Sequence, residues 1–189
     1  MRLGAEGELV LIRAIRASDA AKLRDFHVRC SPESQYRRFF MHKPHLSTKE
    51  AEYFCNVDMR NRGAVVASDR DSHEGIHGIG QWDGLKGGRA EIALLVEDDL
   101  QGIGVGRRLL DAVLDHTRAL GFWQLTGSIL AGNGPIRRLL ETSGYACSMG
   151  ETDCGVQSFS LLTECAERDN PFLGDMLPRN VECSAAGLP

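Results

Sequence analysis

The sequence has no long apolar run. No stretch approaches the roughly 18 consecutive apolar residues that a membrane-spanning helix needs, and no apolar segment follows the early arginine of MRLGAEGELVLIRAIR, so the chain reads as neither membrane-bound nor exported. It also lacks a charge excess of one sign. With 22 basic and 26 acidic residues its net charge is -4, which gives no global field for holding a nucleic-acid backbone, and no nucleic-acid partner is expected. Cysteine pairs with metal-like or redox spacing are missing too. The six cysteines, at positions 30, 55, 147, 154, 165 and 183, form no C-x-x-C, and 189 residues can bury a core without disulfides, so reduced thiols in the cytoplasm are expected. Lysine is scarce. The basic residues are mostly arginine, the better fork for phosphate oxygens, with adjacent pairs at Arg37-Arg38, Arg107-Arg108 and Arg137-Arg138. There is no internal repeat, and the length suits one domain.

The order of elements follows from hydrophobic period and capping residues. Leu9 to Arg16 predicts a strand, and Ser18-Asp19 a cap for the helix begun by AAKLRDFHV. Ser31-Pro32 caps a second helix over ESQYRRFF, and Ser47-Thr-Lys-Glu50 is a capping box before AEYFC. Gly63 to Ser68 and Gly75 to Trp82 predict an antiparallel hairpin, followed by the strand Arg89 to Glu97. From Val105 to Leu120, Leu109, Leu110, Val113 and Leu114 recur at helical spacing, with Gly121 as the stop. Trp123 to Leu130 predicts a strand, Pro135 to Ser143 a helix, and Val156 to Leu162 a last strand. Residues 1–163 thus form the folded unit. Residues 164–189 read as a polar tail holding three of the chain's six prolines.

The turn EDDLQGIGVGRR places three glycines at alternate positions between a strand and an amphipathic helix. Backbone amides there can point at an anion without side-chain obstruction, and the helix dipole favours negative charge at the same place, so a phosphate-bearing ligand is the natural guest. Arg107 and Leu109 occupy the places where a dinucleotide fingerprint would need its next glycine, and no G-K-[ST] follows for a nucleotide P-loop. Glycine used only to turn the chain would look the same.

Gln101-x-x-Gly104-x-Gly106 resembles the Q/R-x-x-G-x-G/A signature of the GNAT N-acetyltransferase superfamily, and the likeness extends from about Leu9 to Leu162. SPESQYRRFF is similar to a bacterial subgroup containing protein lysine acetyltransferases that modify acyl-CoA synthetases. The resemblance implies a single α/β (α+β) domain: a mixed, mostly antiparallel central sheet with a splayed parallel strand pair and flanking helices. It implies acetyl-CoA as co-substrate, held by the backbones of Leu95 and Val96, by the amides of Gln101, Gly102, Ile103, Gly104, Val105, Gly106 and Arg107 around the pyrophosphate, and by Asn133 on the pantetheine arm. Of the arginine pairs, Arg107 is the expected phosphate contact.

Acetyl transfer to an amine needs a deprotonated nucleophile, a polarised thioester carbonyl and a proton for the leaving thiolate. A lysine amine has a pKa near 10.4, so a carboxylate beside the strand must help remove its proton. Glu91 is the expected base because it stands in an apolar strand, where lysine acetyltransferases that this chain resembles place theirs; a salt bridge to Arg89 or Arg38 is the structural alternative. Where many superfamily members carry a tyrosine acid, seven residues after the asparagine, this chain has Leu140, and Tyr145 is expected to pack. The oxyanion should face a backbone amide near Leu95, and transfer should be direct within a ternary complex. The expected acceptor is a protein lysine; the alternatives are a small amine (polyamine, amino acid or antibiotic) or an acyl-CoA-binding regulatory module with little turnover.

One motif competes. His73-Glu74-x-x-His77-x-x-Gly80-x-x-Asp83 spells a zinc-protease signature, whose chemistry requires both histidines on one helical face. Gly75, Gly78 and Gly80 argue against a helix, and a strand would part the histidines by about 13 Å, so no metal site is expected.

Overall fold

The computed structural model describes residues 10–70 and 75–163; the polar tail, together with His73 and Glu74, lies outside the described residues. Along the chain run β1 (Val10–Ala14), α1 (Ala20–Arg29), α2 (Pro32–Phe39), α3 (Thr48–Cys55), β2 (Arg62–Asp69), β3 (Ile76–Leu85) and β4 (Arg89–Val96). They are followed by α4 (Val105–Ala119), β5 (Gln124–Leu130), α5 (Gly134–Glu141), β6 (Ala146–Asp153) and β7 (Val156–Leu162). The strands form one seven-stranded sheet in the order β1-β2-β3-β4-β5-β7-β6, antiparallel throughout except where β4 meets β5. This is the mixed, mostly antiparallel α/β architecture that the resemblance implied.

Helices cover both faces of the sheet. On one, α4 buries Leu109, Leu110, Val113 and Leu114 against β2, β3 and β4. Fully burying a leucine of this kind contributes roughly 1.5–3 kcal/mol. The helix can approach β3 closely because Gly78 and Gly80 present no side chain: a Cβ at either would stand 2.8 Å from Leu109 or Val113. Those glycines therefore serve strand packing, not a helical metal motif. On the other face, Leu23 and Phe26 of α1 and Cys55 of α3 pack with Val66, Ile79 and Leu95 of the sheet.

The caps at Ser31 and Ser47 form as the sequence predicts: Ser31 Oγ accepts from the Ser34 amide at 3.2 Å, and Ser47 and Glu50 close a capping box. Asp19 does otherwise. Its carboxylate accepts from Arg13 at 2.7 and 3.0 Å and from the Arg16 amide at 2.8 Å, leaving the first turn of α1 without a side-chain cap. A guanidinium within reach is a stronger donor than a helix amide. β6 is the element that sequence reasoning missed. Its run ACSMGETD is polar, mostly exposed and broken by a bulge between Met149 and Thr152, so only Cys147 and Met149 lean on the core. No described helix is long and apolar enough to cross a membrane.

Candidate active site

The parallel pair sets the site. β4 and β5 share register only at Arg89↔Gln124, Ala90↔Leu125 and Glu91↔Thr126, while β4 stays paired with β3 to Val96 and β5 with β7 to Leu130. Beyond Glu91 and Thr126 the two strands diverge and open a cleft. Gly127 stands at the fork, where a Cβ would meet the Phe159 ring at 2.7 Å and the Ile92 carbonyl oxygen at 2.8 Å.

Strand alternation decides which backbone groups line that cleft. The Glu97 amide donates to the His77 carbonyl on β3 at 2.9 Å, so residues of the same parity, Leu95, Ala93 and Glu91, aim their amides and carbonyls at β3. Ile92, Leu94 and Val96 aim theirs at the cleft, in keeping with the Ile92 oxygen beside Gly127. Val96 thus turns its backbone toward the cleft, as a contact with the pantetheine would require. Leu95 does not: its backbone is committed to the β3 ladder, and Leu94 takes its place. Sequence could not show this, because parity depends on which edge of β4 is paired.

At the mouth of the cleft, a 3-10 turn over Asp98–Leu100 leads into the glycine loop. The Gln101 amide closes that turn onto the Asp98 carbonyl at 3.1 Å. Gly102 and Gly104 then adopt φ of 76° and 101°, conformations that side-chain-bearing residues avoid. Gly104 occupies the N-cap of α4 without a side-chain cap, and the amides of Gly102, Ile103, Gly104, Val105, Gly106 and Arg107 have no acceptor among the described residues. A Cβ on Gly106 would only make ordinary contacts, at 3.7 Å to Leu139 and 3.8 Å to Val96, so packing does not demand a glycine there. Unspent amides at the positive end of a 15-residue helix fit an anionic diphosphate.

The side chains divide differently from expectation. Gln101 Nε2 donates to the Val96 carbonyl at 2.9 Å and to Ser34 Oγ at 3.1 Å, while Asp98 accepts from the Ser31 amide, Ser31 Oγ and Ser34 Oγ, each at 2.7 Å. Burial opposes ionisation of Asp98, but the Ser31 and Ser34 donors outweigh it and hold its carboxyl below the usual range. This latch fastens the start of α2 to the loop and had no motif to announce it. Arg107 turns away from the cradle: Nε pairs with Asp111 at 2.7 and 3.0 Å, and the two terminal nitrogens donate to the carbonyls of Thr142 and Ser143. It contributes its amide to the cradle while its guanidinium clamps α4 to the end of α5. Asn133 precedes α5, and its carboxamide makes no hydrogen bond among the described residues.

Glu91 projects on the face covered by α1, α2 and α3, because it shares parity with Leu95, which packs there. It is exposed and forms no ion pair among the described residues, so hydration offsets the cost that its apolar strand suggested. Its cross-strand neighbour Asp83 is held by Arg62 at 2.7 Å. Leu140 is fully buried and Tyr145 packs against the core.

The described part of the competing motif is a strand. His77 sits in β3 with Nδ1 2.9 Å from Glu97 and Nε2 2.8 Å from Asp69, so both ring nitrogens face carboxylates. Burial opposes its protonation, but those two partners prevail and raise its pKa above the ordinary histidine value. Among the described residues no group of three or more His, Cys, Asp or Glu could hold a metal ion.

Known proteins resemble this chain in sequence and in fold. The acetyltransferase PA5475 of Pseudomonas aeruginosa is 29% identical over 142 residues, covering 74% of this chain and 76% of that protein. The L-methionine sulfoximine/L-methionine sulfone acetyltransferase of Pseudomonas paraeruginosa is 33% identical over 115 residues, 50% of this chain and 67% of that one. Among solved structures, the GNAT domain of S. lividans PAT superposes with a TM-score of 0.72 at 27% identity, covering 80% of this chain and 89% of the other. Residues 10–146 match the acetyltransferase (GNAT) domain family, and with the fork, the amide cradle and the signature loop in their places the chain belongs to that family of acetyltransferases.

Proposed function

We propose that this protein transfers the acetyl group of acetyl-CoA to a primary amine by direct attack in a ternary complex, with a protein lysine as the acceptor. The observation that carries the reading is the fork itself, whose Ile92–Val96 edge has no strand register with β5 and runs into an unspent amide cradle while Glu91 stands on the opposite face. Bound acetyl-CoA supplies the activated acetyl group. Gly102 to Arg107 bind its pyrophosphate through backbone amides, Val96 and Leu94 hold the pantetheine through the strand edge, and Asn133 steadies the arm. In this reading the Leu94 amide stabilises the developing oxyanion. Glu91 takes the proton of the incoming amine directly or through water. With Leu140 buried where a tyrosine acid would stand, the thiolate departs without a protein acid.

The protein-lysine acceptor is supported by the likeness of Ser31 to Phe40 to lysine-modifying relatives, and a cytoplasmic location suits such a substrate. A lysate of the source cell incubated with acetyl-CoA and read with an acetyl-lysine antibody tests it, comparing wild type with Glu91→Gln. Discrete bands are expected, with turnover in the variant lower by roughly 10²–10⁴ and the KM for acetyl-CoA unchanged. Free CoA released only with added small amines would move the substrate to a metabolite. Acetyl-CoA binding with no thioester cleavage would identify a regulatory module instead.

A further inference from the structure

Arg38 has no part in the roles described so far. It rides on the last turn of α2, donates from Nη2 to Gln81 Oε1 at 2.7 Å, and lies over the Phe39 ring with its guanidinium carbon 4.9 Å from the centroid. Its Nε is sealed from solvent without a hydrogen-bond partner, and Nη1 has none among the described residues. An unpaired buried donor forfeits the hydrogen bond that water would give it, the more so when charged; Arg13 Nε and Ser68 Oγ share that condition, but Arg13 has its carboxylate in Asp19.

Several arginines of the fold are matched to acids, Arg13 to Asp19, Arg29 to Glu97, Arg62 to Asp83 and Arg107 to Asp111, while Arg24 and Arg89 donate to backbone carbonyls at the surface. Arg38 has no such partner. Burial pulls its pKa down while Glu91 and Asp83 push it up, yet neither carboxylate comes within the 4.0 Å of an ion pair, and Asp83 is already spent on Arg62. Gln81, which holds Arg38, registers with Ala93, and Asp83 registers with Glu91, so the strand position that anchors the cation and the one that carries the proposed base are one same-face step apart, roughly 7 Å along the strand. A half-buried cation without an ion pair thus stands near an exposed carboxylate without one, at the open end of the fork.

We infer that Arg38 recognises a carboxylate on the acceptor, carried within a few bonds of the amine that Glu91 deprotonates. A neutral carbonyl would satisfy a donor but leave the charge uncompensated, whereas a carboxylate does both and makes the stronger, charge-assisted bond. The carboxylate has two sources: an acidic residue flanking a protein lysine, or the acceptor's own α-carboxylate when the amine belongs to a free amino acid. The inference rests on the acetyl-transfer reading of the same cleft.

CoA release measured with matched acceptor pairs tests it: a lysine peptide with Asp or Glu beside the lysine against the same peptide with Asn or Gln, and α-amino acids against their α-amides. Wild type is expected to favour the carboxylate member of at least one pair by roughly ten- to a hundredfold in kcat/KM, and Arg38→Gln to erase that ratio. Arg38→Lys, which keeps the charge and loses the fork, should retain part of it, and thermal melting with acetyl-CoA titration checks that each variant is folded. Preference in the peptide pair places the carboxylate on a protein; preference in the amino-acid pair places it on a small molecule. Equal turnover of both members, or a preference that survives in Arg38→Gln, overturns the inference and leaves acetyl transfer standing. No turnover of any amine by protein that binds acetyl-CoA removes both.

Discussion

Replacing Gly104 by alanine forces a Cβ into φ of 101°, whatever space surrounds it, at a cost of about 1–2 kcal/mol. Gly106 is a different case, since a methyl there meets only ordinary contacts inside a helix. Gly106→Ala is expected to hold or raise the melting temperature, by up to about 1 kcal/mol of stability, and to leave acetyl-CoA binding within about threefold, since alanine keeps the amide and the signature admits it there; Gly104→Ala should lower both. Calorimetry with parallel acetyl-CoA titration separates the two effects. Two histidines set the pH response of stability in opposite directions. His27 is buried with Nε2 2.6 Å from the Lys43 carbonyl, and burial lowers its pKa below the ordinary 6.5. Its contribution is full above that value and is lost as pH falls, because the unfolded chain then binds a proton that the fold does not. His77, raised, contributes fully below 6.5 and loses its contribution as pH climbs through its folded value. Urea midpoints from pH 5 to 9 should rise and then decline, with His27→Gln flattening the acid limb and His77→Gln the alkaline one. A flat alkaline limb in the wild type would contradict the Asp69–His77–Glu97 arrangement.

Between elements, the clamp of Arg107 joins α4 to the end of α5, and with partners about half exposed it is worth roughly 1 kcal/mol. Arg107→Ala should therefore lower stability while leaving the dissociation constant of acetyl-CoA within about threefold. A tenfold loss of affinity would mean that the guanidinium swings to the phosphates after all. The adjacent pair Arg107-Arg108 shows how far composition can be read. An arginine beside a phosphate loop is a reasonable phosphate ligand, but Asp111, one helical turn on, and two helix-end carbonyls of α5 outbid the cradle, and Arg108 spends a nitrogen on the Val10 carbonyl. Those partners are set by packing. Elements with strong local signals were legible: the capped helices α2 and α3, the hairpin of β2 and β3, and α4 with its apolar stripe. β6 was not, because an edge strand gains its identity from the ladder to β7 and need not carry an apolar face.

Across the whole molecule, the fold class and the glycine loop followed from a short signature, while the alternation that puts Leu94 rather than Leu95 in the cleft became visible only once every strand had a neighbour. That alternation has a consequence for how the sheet behaves without its donor. From Ile92 to Val96, β4 is a comb with teeth on two sides, one side meshed with β3 and the other facing no strand. On the reading proposed above, a pantetheine arm in the gap, with amides of its own, would take the part of a missing strand, and the protein would finish its sheet with a small molecule. Hydrogen–deuterium exchange should print this as an odd–even pattern: Leu94 and Val96 amides exchanging quickly in free protein and slowing when acetyl-CoA is added, with Ala93 and Leu95 slow in both states. Uniform protection along the segment would show that the gap closes on itself between turnovers.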